Sequence, residues 1–237
     1  MLRRFLIAAV VGLVIVLAAM TGLYFLMNAR TVQLAGNLVA HCDTDEKVVA
    51  LTLDDGPSGR TTEVLAALQR AHIAATFYLV GQDIAGNPWS GRQIADAGHE
   101  IGNHSYTHRR LVFVTPTTVR EEVENTDKQI RATGYSGVIT FRPPYGKKLY
   151  ALPRYLASHG RITVMWDVEP DSDGPRTREA IVEEAVSRVR PGSIILLHVM
   201  YSSGRESLSA IPEISRRLQA QGYRFVTVSQ LLATPCR

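Results

Sequence analysis

The sequence is sparing in the features that mark specialised protein classes. It has two cysteines in 237 residues, so one bridge is the most that it can form. It has no internal repeat and no low-complexity tract, which excludes a solenoid and a disordered polar chain. Charge of either sign is weak: 26 Lys and Arg against 22 Asp and Glu leave a formal net charge of +4. The basic residues are scattered, with nothing denser than pairs such as Lys147-Lys148, so the concentrated basic face of a nucleic-acid binder is missing. What remains is ordinary globular material, 46% hydrophobic and 20% charged, long enough for one sizeable core.

One feature present in excess is a long apolar run. From Phe5 to Ala29 there is no charged residue, and about 20 apolar residues suffice to cross a bilayer as a helix. Arg3 and Arg4 precede the run and Arg30 follows it, a bias that keeps the amino terminus cytoplasmic. A cleaved signal peptide is the alternative, but its apolar region is usually about 7–15 residues with a small-residue cleavage site. This run is longer, and Met27-Asn28-Ala29-Arg30 offers no clear site. The expectation is one N-terminal transmembrane helix serving as anchor (1–30), a linker (31–47) and a folded domain (48–237) on the extracytoplasmic side. The cysteines suit that compartment, because Cys42 and Cys236 bracket the domain and disulfides persist where the surroundings are oxidising.

Past residue 47 the chain alternates. Strand-like runs fall at 48–54, 74–80, 98–103, 138–141, 161–166, 193–198 and 223–228. Helical patterns lie at 61–71, 90–97, 116–133, 149–159, 177–190 and 207–221. Strands alternating with helices argue for parallel βα units. The polar residues cluster at strand ends and in the loops that follow, as barrel active sites do. A distorted (β/α) barrel with about seven parallel strands is therefore expected, with an open doubly wound sheet as the alternative.

Those strand ends carry the chemistry. Asp54 and Asp55 stand side by side where the run 48–54 meets Gly56-Pro57, and two adjacent carboxylates in a dry place repel. One of them on a divalent cation would cancel the repulsion and leave the other beside a metal-bound water. His104 and His108, four apart after the run at 98–103, would face one ion from a single helical turn. Arg142 begins RPPYG, Trp166 to Asp171 read WDVEPD, and His198 ends the apolar run IILLH. Taken singly, each fragment reads as well as a salt bridge, a solvated loop or a satisfied strand-end histidine. Together, at successive strand ends, they read as one site.

The set TLDDGP, HSYTH, RPPYG, WDVEPD and LLH, in that order over about residues 48–230, resembles the NodB-homology polysaccharide deacetylases. The resemblance implies a distorted (β/α) barrel that removes N-acetyl groups from amino sugars of a glycan with one divalent metal, usually zinc. It also implies Asp55, His104 and His108 as metal ligands, Asp54 as base and His198 as acid. Arg142 would pair with Asp54, and the Tyr145 backbone N–H would help hold an oxyanion. The family's fourth motif usually ends Asp-Trp; here Asp171 is followed by Ser172, with Asp173 close behind. Either aspartate is then a candidate for tuning the acid, and the missing tryptophan implies a wider or more polar acyl pocket. An anchored carbohydrate-binding module that has lost catalysis would not need base, ligands and acid together. A metal-dependent phosphoester hydrolase usually wants a second metal and more carboxylates.

Overall fold

The computed structural model describes residues 1–172, 174 and 176–236. The apolar run forms helix α1 (Leu2–Asn28), none of whose residues is buried. It is followed by β1 (Leu38–Val39), β2 (Val48–Asp54), α2 (Thr61–Ala71), β3 (Thr76–Leu79), α3 (Gly81–Gly86), α4 (Pro88–Asp96) and β4 (Glu100–Asn103). Then come α5 (Pro116–Ala132), a 3-10 turn at Pro144–Gly146, α6 (Ala151–Ser158), β5 (Thr163–Val164) and α7 (Arg178–Arg188). The domain ends with β6 (Ser193–His198), α8 (Arg205–Ala220), β7 (Arg224–Val226) and α9 (Val228–Ala233). Side-chain caps start several helices: Asn87 for α4, Thr115 for α5, Thr177 for α7 and a Thr227–Gln230 capping box for α9.

Every pairing between named strands is parallel. One sheet runs β4-β3-β2-β6 with β7 also on β2, and β1 pairs with β5 separately. All seven residues of β2 are buried, as a parallel strand covered on both faces requires. Its alternate residues divide two cores. Val49, Leu51 and Leu53 join Val64 and Leu68 of α2 and Ile211 and Ile214 of α8. Val48 and Ala50 join Tyr78, Val164, Met165, Trp166 and Leu196 in a second cluster enclosed by the sheet. Isolated parallel bridges at Asn103–Phe141, Phe141–Thr163 and Val168–Ile195 link the two sheets. The parallel α/β architecture is as expected, with single bridges where a regular barrel would carry continuous ladders.

Several elements differ from the reading of the sequence. The run at 138–141 contributes only the Phe141 bridges, and β5 is two residues long. Helices α3 and α9 were not expected; each is six residues, too short to show a helical period. The stretch 31–47 carries β1, whose Leu38 and Val39 pair with Thr163 and Val164. The expected bridge is present: Cys42 and Cys236 form a disulfide across Cα atoms 5.2 Å apart, tying the segment before β2 to the end of the chain.

Candidate active site

The site is built where β2, β4 and β6 end. Asp54 is the last residue of β2, paired in register with Tyr78 of β3 and His198 of β6. Buried at 2% exposure, its carboxylate needs partners. Arg142, the largest fully buried side chain, donates from Nη1 to Asp54 Oδ1 at 2.7 Å and to Thr52 Oγ1 at 2.7 Å. Its remaining nitrogens donate to the carbonyls of Val164 and Met165. The guanidinium also lies 4.1 Å from the centre of the Tyr78 ring and 5.4 Å from that of Trp166. One oxygen of Asp54 is thereby fixed, and the other, Oδ2, faces His104 Nε2 at 3.5 Å.

Asp55 follows with φ at 73°, a left-handed conformation that turns its carboxylate toward the two histidines. His108 Nε2 stands 3.2 Å and His104 Nε2 3.9 Å from Asp55 Oδ1. The histidines do not sit on a helical turn. Residues 104–108 form an irregular loop, with φ at 66° for Ser105 and 55° for His108. Buried side chains take over the hydrogen bonds that a helix would make. Asn103 Oδ1 accepts from the Ser105 N–H, and Glu122 of α5 accepts from the N–H groups of Tyr106 and Thr107 and from the Thr107 hydroxyl. Left-handed non-glycine residues are costly and cluster at functional sites; Asp55, Ser105, His108 and Tyr145 all belong to this one.

The hydrogen-bond pattern sets the proton positions. His104 Nδ1 lies 2.8 Å from the Arg142 carbonyl, an oxygen that can only accept, so Nδ1 donates. Its other nitrogen, Nε2, then faces carboxylate oxygens of Asp54 and Asp55. Burial, and then the neighbouring His104, hold the His108 imidazole below its usual pKa. Lone pairs facing carboxylates repel unless a cation lies among them. One ligand atom each from Asp55, His104 and His108 lies within 4.8 Å of the others. A set of two imidazoles and a carboxylate fits a divalent ion of the zinc kind, and the hydrogen bond at His104 Nδ1 fixes the tautomer that ligation needs.

His198 ends β6 on the other side of the cleft. Asp171 accepts from its backbone N–H at 2.7 Å and lies 3.3 Å from its Nδ1, while Ser207 donates to the same carboxylate at 2.8 Å. Burial works against a charged His198, yet the Asp171 bond and the charge of Asp54 outweigh it and push the imidazole up to about 9. Gly204 makes the close approach possible, since a Cβ there would lie 2.0 Å from the His198 carbonyl oxygen. Of the two aspartates considered for this partner, Asp171 fills the place; Asp173 lies outside the described residues.

Asp54, Asp55, His104, His108 and His198 line one cleft of about 530 Å³, together with Tyr145, Met165, Trp166, Leu196 and Glu169, while Arg142 and Asp171 are not among its lining residues. A tryptophan thus walls the cleft, but from position 166 and not from the position after Asp171. A larger groove of about 620 Å³, bordered by Thr62, Gln69 and Gln93, contains His72 and His99 but no carboxylate. The sequence reading missed Thr52, Asn103, Glu122 and Trp166. Thr52 and Trp166 lie inside quoted motifs; Asn103 acts on the Ser105 N–H two residues on, and Glu122 through contacts distant in the chain.

The fold and cleft define a parallel α/β protein whose strand ends gather a carboxylate–histidine cluster beside a second carboxylate and a second histidine. The family model described as polysaccharide deacetylase matches residues 41–164, and the chain belongs to that family. It is 34% identical over 192 residues to the peptidoglycan-N-acetylmuramic acid deacetylase PdaC of Bacillus subtilis, spanning 80% of this chain but 39% of that protein. It is also 34% identical over 197 residues to a peptidoglycan-N-acetylglucosamine deacetylase of Bacillus cereus, covering 79% of this chain and 89% of the relative. Among solved structures, a peptidoglycan N-acetylglucosamine deacetylase bound to an N-hydroxybenzamide superposes with a TM-score of 0.79 at 29% identity, covering 84% of this chain and 94% of that one. A family pseudoenzyme from Bacillus anthracis gives 0.76 at 26% identity, covering 84% and 70%. Likeness of fold therefore does not by itself carry activity.

Proposed function

We propose that this chain is a metal-dependent hydrolase that removes N-linked acetyl groups from amino sugars of a cell-envelope glycan. The observation that carries the proposal is the convergence of three lone-pair donors, on Asp55, His104 and His108, beside a second carboxylate whose other oxygen is held by Arg142. The names of the relatives supply the substrate class, an N-acetylated glycan of the peptidoglycan kind.

In this reading Asp55, His104 and His108 hold one divalent ion, zinc by the nature of the donors. Such an ion polarises a carbonyl and makes water a nucleophile near neutral pH. Asp54 is the base: its free oxygen faces the cleft while Arg142 fixes the other, so the carboxylate is oriented to take a proton from the attacking water. The N–H of Tyr145, in a turn with φ at 59°, is the backbone donor for the oxyanion. His198 is the acid. Asp171 keeps it protonated and turned into the cleft, and the leaving amine takes its proton from it. Trp166, Met165 and Leu196 give the cleft an apolar wall against the acyl group.

The same reading takes residues 1–30 as the anchor, its helix crossing the membrane and its last residues emerging at the surface, with the catalytic domain, 48–237, on the extracytoplasmic side, joined through 31–47. A helix of 27 residues with no buried side chain and an apolar surface is long enough to span. The test is acetate release from N-acetylated glycans by the full chain, with and without a chelator. Release that stops on chelation and returns with zinc supports the reading, and release insensitive to chelation refutes the metal.

A further inference from the structure

The residues that end the apolar helix belong to the catalytic cleft. Asn28 and Arg30 are among its lining residues, and four consecutive positions are tied to its rim. The Met27 carbonyl accepts from the Lys148 N–H at 3.2 Å. Asn28 Oδ1 accepts from Lys147 Nζ at 2.5 Å, and the Ala29 carbonyl accepts from Lys148 Nζ. Arg30 donates to Glu169 Oε2 at 2.5 Å and lies 4.9 Å from the centre of the Trp166 ring, while the Trp166 indole N–H donates to the same oxygen at 2.7 Å. Lys148 is 1% exposed, and the Ala29 carbonyl is a partner of its ammonium. A buried ammonium needs such a partner, so the segment is part of the wall. The rim beside it has the character of a membrane interface. The bridge Leu111–Lys148 brings the loop bearing Phe113, 75% exposed, alongside Tyr150, 58% exposed, and Arg109 and Arg110 are exposed on the same loop. An exposed tyrosine settles at the headgroup level, and exposed Phe beside Arg is the pairing of apolar and basic side chains that favours a membrane interface.

We infer that residues 27–30 clamp the cleft to the outer surface of the bilayer, so that the glycan taken is one held at that surface, within about one carbohydrate chain's thickness of the headgroups. The inference rests on the anchored deacetylase proposed above. Its geometry is tight: Arg30 lies two residues beyond the end of α1, and a chain advances at most about 3.3–3.6 Å per residue. The cleft wall therefore lies within roughly 10 Å of the point where the helix leaves the membrane. A domain tethered by a free linker, or turned with its cleft outward, would instead reach glycans far from the bilayer and miss those close to it.

The experiment uses the full chain in lipid vesicles and N-acetylated oligosaccharides coupled to lipid by a short spacer of about 10 Å or a long one of about 50 Å, with the free oligosaccharide as reference. The short-spacer substrate is expected to be deacetylated at least as fast as the long one at equal surface density. An insertion of about 18 polar helix-forming residues between Leu26 and Met27 raises the domain by roughly 27 Å while preserving the helix face. That chain is expected to lose at least tenfold on the short-spacer substrate and to keep its rate on the long and free ones. Two results overturn the inference: a short-spacer substrate that the parent chain cannot reach, or one that the raised chain turns over equally well. Failure on all three substrates, free oligosaccharide included, would instead count against the deacetylase reading itself.

Discussion

Replacing Arg142 with Met isolates the interaction on which the arrangement of the site depends most. Arg142 is fully buried and spans Asp54, Thr52 and two strand-end carbonyls. Its loss leaves Asp54, 2% exposed, without its charged partner. Breaking a buried pair by removing one member costs about 3–5 kcal/mol, most of it from the stranded charge. For a chain of this size each kcal/mol moves the midpoint by about 2–4 °C, so thermal unfolding should fall by roughly 6–20 °C. The double variant Arg142→Met with Asp54→Asn carries no stranded charge and should regain at least about 1 kcal/mol, because sites in contact couple. Activity should not follow, since the base is gone. Circular dichroism of the full chain in detergent, read beside acetate release, separates the two effects. A single variant whose midpoint lies within about 2 °C of the parent would refute the account of Arg142 as the partner that makes a buried Asp54 tolerable.

Other outcomes follow from the same contacts. With His198 pushed up to about 9 by Asp171 and the charges near it, against burial, the acid stays protonated through neutral pH and is lost on the alkaline side. Asp171→Asn should move the basic limb of the pH–rate profile downward, and an unmoved limb would detach Asp171 from the acid. His104→Ala or His108→Ala should abolish stoichiometric zinc in equilibrium dialysis, and zinc should leave the parent chain below about pH 6 as the imidazoles protonate; retention by either variant contradicts the ligand set. Cys42→Ser should lower stability by about 2–5 kcal/mol, as loss of a native disulfide does, and a reducing agent should do the same to the parent chain; no change in melting for either would show the bridge to be dispensable.

How much of this was visible in the sequence depended on how local the cause was. Strand β2 announced itself by an apolar run interrupted only by Thr52 before it ends at Asp54, and α2 by its period, with bounds identical to the pattern at 61–71. Asp54 and His198 were legible because each ends a strand and so carries a polar group where an apolar run stops; the other motif residues lie in the loops beyond strand ends. The conformation of the HSYTH loop was not legible. Its path is dictated by Asn103 and Glu122, and Glu122 lies inside a helix where nothing in the local pattern sets it apart from a solvated carboxylate. Trp166 was quoted but not given its place, because whether a strand-end side chain faces the cleft depends on register with β6 and on Arg142 beneath the ring. The contacts of residues 27–30 with Lys147, Lys148 and Glu169 were equally hidden, since they join positions more than a hundred residues apart.

The most direct test of the central claim is acetate release from an N-acetylated peptidoglycan oligomer, measured for the full chain and for Asp54→Asn, each assayed for bound zinc. The account predicts release by the parent chain that is abolished by a chelator and restored by zinc. It predicts that Asp54→Asn retains the ion but is slower by about 10²–10⁴, the usual loss on removing a general base. Near-parental release by zinc-loaded Asp54→Asn, or no release by a zinc-loaded parent chain on any N-acetylated glycan, would contradict it.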